Sequence, residues 1–324
     1  MSDQPMIEIT LDGAPRTIEA GITGALLLQD AVKKDGVVAM RVNGEPWDLD
    51  RQVPAGAVVE PITLSSEDGL NILRHSATHV MAQAVQEMFP GVDLGIGPFI
   101  TDGFYYDFGA IDAVTPEMLR EIEKRMKRIV KEGQRFVRRD ITEDQGREEL
   151  ADQPYKLELI TTKGAGAEGA SVEVGAGGLT MYDNVRRDGT VAWTDLCRGP
   201  HLPSTRLIGQ GFALTKSSSA YWKGDQSGDS LQRIYGTAWA SKDDLKAYQT
   251  RLAEAAKRDH RKLGAELDLY SFPEEIGPGL VVFHPKGAML RHQIEQYVVD
   301  RHQDYGFDFV HTPEISKGGL FHTS

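Results

Sequence analysis

The sequence has a single cysteine, Cys197, in 324 residues. That excludes an internal disulfide framework and suits a reducing compartment, so a cytoplasmic protein is expected. No stretch approaches the ~18 consecutive apolar residues of a membrane span, and no membrane partner is expected. Met1 to Pro5 has neither a basic nor an apolar region, so no signal peptide is expected. Internal repeats are absent, and the one low-complexity patch is the Gly/Ala-rich stretch 164–178, expected to be a loop of unassigned role. Positive charge is in deficit, with a formal net charge of −12. No global basic field advertises a nucleic acid, although a local basic face can still serve one. Hydrophobic content of 40% and charged content of 26% are ordinary for a globular chain. The length suggests two or three domains.

Two short runs carry the chemistry. His75-Ser-Ala-Thr-His79 puts two imidazoles four residues apart, on one face if the segment is helical. Leu73, Ala77, Val80, Ala84 and Met88 recur at helical spacing around them. At ~100° per residue both histidines project about 160° from the centre of that stripe, so they are expected off the packing face. Asp195-Leu-Cys-Arg-Gly-Pro-His201 adds a thiol and a third imidazole in a Gly-Pro-interrupted segment expected to be a loop. Three imidazoles and the only thiol suit either hydrolysis or a metal.

Along the chain, residues 6–63 read as a β-rich module in ββαββ order. Asp12-Gly13 is a hairpin turn signal, Val37–Val42 and Ala57–Thr63 on either side of Asn43-Gly44 read as strands, and Thr23 can cap a helix carrying Leu26, Leu27 and Val32. Ser65 to Asp68 opens the His-bearing helix. Gly95-Ile-Gly97-Pro98 and Gly103-Phe-Tyr-Tyr-Asp107 follow, where glycine permits close approach to a ligand and Tyr105 and Tyr106 either stack on a base or fill a core. Pro116 starts a helix with the stripe Leu119, Ile122, Met126 and Ile129. Its remaining positions are basic, from Arg120, Lys124, Arg125, Lys127, Arg128 and Lys131 on to Arg135, Arg138 and Arg139. This suggests phosphate contact through Arg128, Lys131 and Arg135, against a plain solvated face. Tyr155 to Ile160 reads as a strand, as do Leu179–Tyr182 and Thr190–Trp193. Ser241 with Asp244 caps a helix to about Arg261. A helix over 288–304 and a strand over 307–312 close the chain, too little to bury a core alone, so the end looks like a cut.

His75-x-x-x-His79, Gly103–Asp107, Asp195–His201 and Leu231-Gln-Arg-Ile-Tyr-Gly-Thr-Ala-Trp239 together resemble the bacterial threonyl-tRNA synthetase family. The resemblance runs over essentially the whole chain. It implies an α+β, multidomain protein: a TGS-like β-grasp module (1–64), an α/β editing domain (65–240), a linker helix (241–262) and the truncated start of a class II antiparallel-sheet core (263–324). In such enzymes Lys286 to Pro313 resembles the motif used at the homodimer interface. The ATP, Mg²⁺ and threonine-selecting Zn²⁺ sites of the complete parent enzyme are expected beyond residue 324, so no threonyl-adenylate synthesis is expected of this portion.

The implied activity is hydrolysis of mischarged Ser-tRNA(Thr). Serine lacks one methyl of threonine, and a missing methylene is worth only ~1–3 kcal/mol, so a second, smaller site is the expected remedy. By resemblance His75, His79, Cys197 and His201 surround ester and water. Lys156 supplies positive charge, and Asp195 holds the substrate ammonium or orients Lys156. Gly97, Tyr105 and Tyr106 line the substrate. The site is expected to need no cofactor. The alternatives are a zinc-dependent alanyl-type deacylase using His75, His79, Cys197 and His201 as ligands, or a non-catalytic tRNA-binding chain.

Overall fold

Asp12 and Gly13, like Asn43 and Gly44, all take positive φ, the backbone that tight hairpin turns require. They join β1 (Met6–Leu11) to β2 (Ala14–Glu19) and β3 (Val37–Val42) to β4 (Glu45–Asp48). With β5 (Val58–Thr63) these strands form a sheet of order β2-β1-β5-β3-β4, in which β1 and β5 are parallel. The sequence reading missed β4, whose four residues include a proline. The expected single helix is two short ones, α1 (Gly24–Leu27) and α2 (Gln29–Lys34), and Thr23 stands at the first N-cap without a side-chain bond. Ile9, Ile18, Leu28, Met40, Leu49 and Val59 make the core of this sheet.

This computed structural model describes residues 5–163, 171, 174, 178–315 and 317–322. Apart from 171, 174 and 178, the Gly/Ala-rich stretch therefore lies outside the described residues. Two compact units are present, Met1–Tyr248 and Gln249–Ser324.

In the first unit the central element is α3 (Glu67–Met88), whose N-cap Ser66 accepts a 3.1 Å bond from Gly69 N. Ile72, Leu73, Ala77, Val80, Met81, Ala84 and Val85 are all buried along it, and so are Arg74, His75, Ser76, Thr78, His79 and Gln83 between them. The histidines, expected off the packing face, are buried with the rest of this stretch. A helix enclosed all round belongs to the interior of a large core, and the small side chains Ser76, Ala77, Thr78, Ala82 and Ala84 let neighbours close in on every side. One neighbour is the sheet containing β6 (Asp93–Leu94), β7 (Phe99–Ile100), β8 (Gly103–Gly109), β12 (Phe212–Tyr221) and β13 (Ser230–Ala238). Arg233 and Asp107, directly opposite on β13 and β8, form a bidentate pair at 2.6 and 2.8 Å. A second neighbour is α4 (Pro116–Glu132), capped by Thr115 and ended by left-handed Gly133, with Ile122, Met126 and Ile129 buried as expected. The third is the antiparallel sheet of β9 (Arg135–Ile141), β10 (Leu179–Val185) and β11 (Val191–Leu196).

Two sequence expectations fail here. Arg135, Arg138 and Arg139 lie on β9, beyond the end of the basic helix. Lys156 lies on a helix, α6 (Pro154–Thr162), which follows α5 (Glu143–Glu149). Its buried residues Tyr155, Lys156, Leu159 and Ile160 follow helical spacing, which the six residues Tyr155 to Ile160 are too few to distinguish from a strand.

The Ser241–Asp244 cap forms as expected and starts α7 (Lys242–Lys257), which contains the division between the units. The helix stops short of Arg261. Asp259 then caps α8 (His260–Glu266) through a 2.9 Å bond from Arg261 N. The second unit further holds the pair β14 (Tyr270–Ser271) and β15 (Val282–Phe283), and α9 (Pro285–Asp304). Residues 307–312 form no strand. No helix among the described residues is long and apolar enough to cross a membrane.

Candidate active site

The two turns of α3 that carry His75 and His79 face the loop leaving β11, and three imidazoles and one thiol converge there. The ligand atoms of His75, His79, Cys197 and His201 all lie within 4.8 Å of one another. Cys197 Sγ stands 3.3 Å from His75 Nε2 and 3.3 Å from His201 Nε2, and Gly199 N donates to the sulfur at 3.2 Å. The ring centroids of His75 and His79 are 4.3 and 4.1 Å from that of His201.

Ser76, beside the first histidine, fixes the third. Its hydroxyl donates to Ile72 O at 2.8 Å, so its oxygen is left to accept from Leu202 N at 3.0 Å and from His201 Nδ1 at 3.1 Å. His201 is thereby the Nδ1–H tautomer, with Nε2 an acceptor facing the thiol. Phe136 stacks on its ring at 4.9 Å, and Tyr182 meets it edge-on at 4.6 Å. Gly199 has φ +69°, and a Cβ there would fall 2.0 Å from the Tyr182 hydroxyl, so the motif needs glycine at that position.

Burial sets the protonation of the cluster. It pulls His75 down to about 4, and His79 and His201 well below the ordinary imidazole value. All three rings are neutral at pH 7. The Lys156 ammonium adds to the downward push on His75 and His79. Lys156 itself is paired with Asp195 at 2.8 Å, and neither side chain has any exposed surface. Tyr106 donates to the other Asp195 oxygen at 2.7 Å. Of the two roles expected for Asp195, orienting Lys156 is the one this geometry supports.

The remaining sequence candidates are placed otherwise. Tyr105 and Tyr106 are both buried, Tyr105 beneath the Arg233 guanidinium at 3.9 Å, so neither offers an open ring face to a base. Their core-filling alternative is the one realised. Gly97 is buried against them: a Cβ there would lie 2.3 Å from the Tyr106 ring. On the basic helix, Glu117, Glu121 and Glu123 pair with Arg120, Lys124 and Lys127. Arg128 is engaged by Glu87 and Glu132, so it is not held ready for phosphate. Lys131 and Arg135 are exposed and have no ion pair among the described residues. Sequence reasoning missed Ser76, Phe136, Tyr182 and Asp48. Ser76 lies within the His motif and was the one most open to notice.

The donor set, with thiol and imidazoles buried together and His79 Nδ1 without a hydrogen-bond partner among the described residues, is chemically able to hold a Zn²⁺-sized ion.

Comparison with known proteins agrees with the motifs. The family described as the threonyl and alanyl tRNA synthetase second additional domain matches residues 178–235, which contribute Asp195, Cys197 and His201. The threonine–tRNA ligase of Cutibacterium acnes is 71% identical over 98% of this chain and 47% of its own length. That of Pseudarthrobacter chlorophenolicus is 56% identical over 100% and 49%, and that of Thermobifida fusca 57% identical over 100% and 49%. The chain spans about half the length of these curated relatives, and by sequence it belongs to the threonine–tRNA ligase family.

Proposed function

We propose that this chain carries the proofreading site of a threonine–tRNA ligase and hydrolyses the ester of Ser-tRNA(Thr). The observation that carries this reading is the convergence of neutral His75, His79 and His201 on Cys197, beside the buried Lys156–Asp195 pair. A neutral imidazole accepts a proton from water as its oxygen attacks the ester carbonyl. The Lys156 ammonium offsets the negative charge that develops on the carbonyl oxygen. Collapse of the tetrahedral species expels the ribose oxygen, which takes up the proton, and releases serine. Cys197 need not form an acyl-enzyme, because the ester is already activated. Enclosure on every side suits a site that must reject one extra methyl.

Under this reading residues 1–64 are a TGS-like β-grasp module, 65–240 the editing domain, 241–262 the linker and 263–324 the start of a class II core. The partners are tRNA(Thr) and its seryl ester, with Lys131 and Arg135 as phosphate contacts in a cytoplasmic enzyme. Threonylation with ATP, Mg²⁺ and Zn²⁺, and homodimerisation, are proposed for the ligase as a whole. Met289, Leu290, Ile294 and Tyr297, exposed on α9, suit such an interface.

The test is hydrolysis of both charged tRNAs by the purified chain. Seryl ester is expected to disappear well above the buffer rate while threonyl ester persists. Equal rates would remove the selectivity, and no seryl hydrolysis would favour a non-catalytic tRNA-binding chain.

We read the chemistry as metal-free. A bound zinc would be held by His75, His79, Cys197 and His201 and would supply an acidified water. The Lys156 ammonium, which already disfavours positive charge on His75 and His79, argues against a second buried cation there. Exhaustive chelation is therefore expected to leave seryl hydrolysis intact, and elemental analysis to find well under one zinc per chain. Stoichiometric zinc with chelator-sensitive hydrolysis would move the site to the alanyl type.

A further inference from the structure

We propose that Asp48, a residue of the N-terminal five-stranded module, is a positioning residue for His201, so that the module completes the hydrolytic site. The inference rests on the hydrolytic reading above. Asp48 is the last residue of β4, and its two carboxylate oxygens are divided between two members of the site wall. Oδ1 accepts from His201 N at 2.9 Å, and Oδ2 accepts from the Tyr182 hydroxyl at 2.6 Å.

These bonds act on one ring, through its own backbone and through a neighbouring phenol. The first holds the backbone from which the imidazole projects. The second holds the phenol whose edge meets that imidazole at 4.6 Å. Phe136 closes the other face, and Ser76 fixes Nδ1. Four contacts thus set the ring, and the two made through Asp48 come from outside the residues expected to form the editing domain. Arg51 and Arg138 are the cations that bear on this corner, Arg51 lowering the Asp48 carboxyl and Arg138 the Tyr182 hydroxyl, against the burial that raises both. Arg51 is itself held over the Trp47 ring at 3.3 Å. A half-buried carboxylate that accepts from two members of the site wall has a task that apolar packing between two modules would not require.

The chemical consequence is directional. Nε2 of His201 faces Cys197 Sγ only while backbone and ring are both held. A displacement of about 1 Å is enough to cost roughly 100-fold in rate.

The experiment uses the full chain with Asp48→Ala, Asp48→Asn and Tyr182→Phe. It reads kcat and KM for seryl-tRNA hydrolysis, the imidazole NMR signals of His201, and the alkylation rate of Cys197, the only thiol in the sequence. Asp48→Ala is expected to lower kcat about 10- to 100-fold with KM held within about twofold. It should shift the His201 signals and speed alkylation. Asp48→Asn, which keeps one acceptor for His201 N, should recover part of the loss. Tyr182→Phe should fall between, and its effect should not add to that of Asp48→Ala.

A folded Asp48→Ala chain with unchanged His201 signals and unchanged kcat overturns the proposal, as does a rise in KM alone. If Asp48→Ala does not fold, Asp48→Asn and Tyr182→Phe decide by the same readouts. If the unsubstituted chain shows no hydrolysis, the functional reading fails, while the His201 signals and the alkylation rate still decide whether Asp48 positions the ring.

Discussion

Replacing Asp195 with alanine is expected to lower the unfolding free energy by about 3–5 kcal/mol, the usual cost of stranding one member of a buried ion pair. Lys156 and Asp195 have no exposed surface, and their 2.8 Å contact is supported by Tyr106 on the second carboxylate oxygen. Without the carboxylate, the ammonium is left among Tyr106, His75 and His79, none of which is charged at pH 7. Lys156→Ala should cost less, because a carboxyl stranded by burial can take up a proton and become neutral. The double variant Lys156→Met/Asp195→Leu should regain much of the stability, since apolar side chains of similar volume replace buried pairs at little cost. It should nevertheless remain inactive on seryl ester, which separates the fold from the chemistry. Urea denaturation measures the first effect. A loss below about 1 kcal/mol for Asp195→Ala, the range of exposed pairs, would show that the pair is solvated.

Acid should weaken the fold well before its carboxylates are exhausted. His75 titrates at about 4 in the folded chain, whereas the same ring in an unfolded chain titrates near 6.5. Between those values the unfolded state binds the proton and the folded state does not. Stability is therefore full above pH 6.5 and falls as pH drops toward 4. The difference is worth about 3 kcal/mol from His75 alone. His79 and His201 are depressed by the same burial and push the same way. Asp48 and Asp107 work against this, since burial raises their carboxyls and the folded state gains protons there first. Urea midpoints at pH 7.5, 6 and 5 should fall steadily, and His75→Asn should flatten the fall. A midpoint that stays level over this range would mean that the imidazoles are hydrated.

Much of this was legible in the letters. Ser66, Thr115-Pro116 and Ser241 start helices where their capping chemistry places them, and Asp12-Gly13 turns a hairpin. The four-residue spacings of His75 with His79 and of Cys197 with His201 did converge. What failed had local causes. The histidines were placed off the packing face because one apolar stripe was taken as the only packed side, whereas α3 is buried on every side from Ile72 to Val85. The basic run on α4 looked free because the glutamates three and four residues away were not set against it. What was invisible is long-range. Asp48 lies 134 residues from Tyr182 and 153 from His201, and nothing in Glu45-Pro-Trp-Asp48 announces either partner.

The enclosure of the site has a kinetic side. His75, His79, Cys197 and His201 each expose 3% of their surface or less, so an ester meets them only after the lining parts. Under the proposed hydrolysis, the described arrangement corresponds to a shut form, and turnover requires a minority open one. The apparent affinity for a seryl ester is the intrinsic affinity scaled by that minority fraction. Substitutions that loosen the lining should therefore tighten apparent binding of both esters while eroding the discrimination between them, so that looser variants hydrolyse correctly charged tRNA as well.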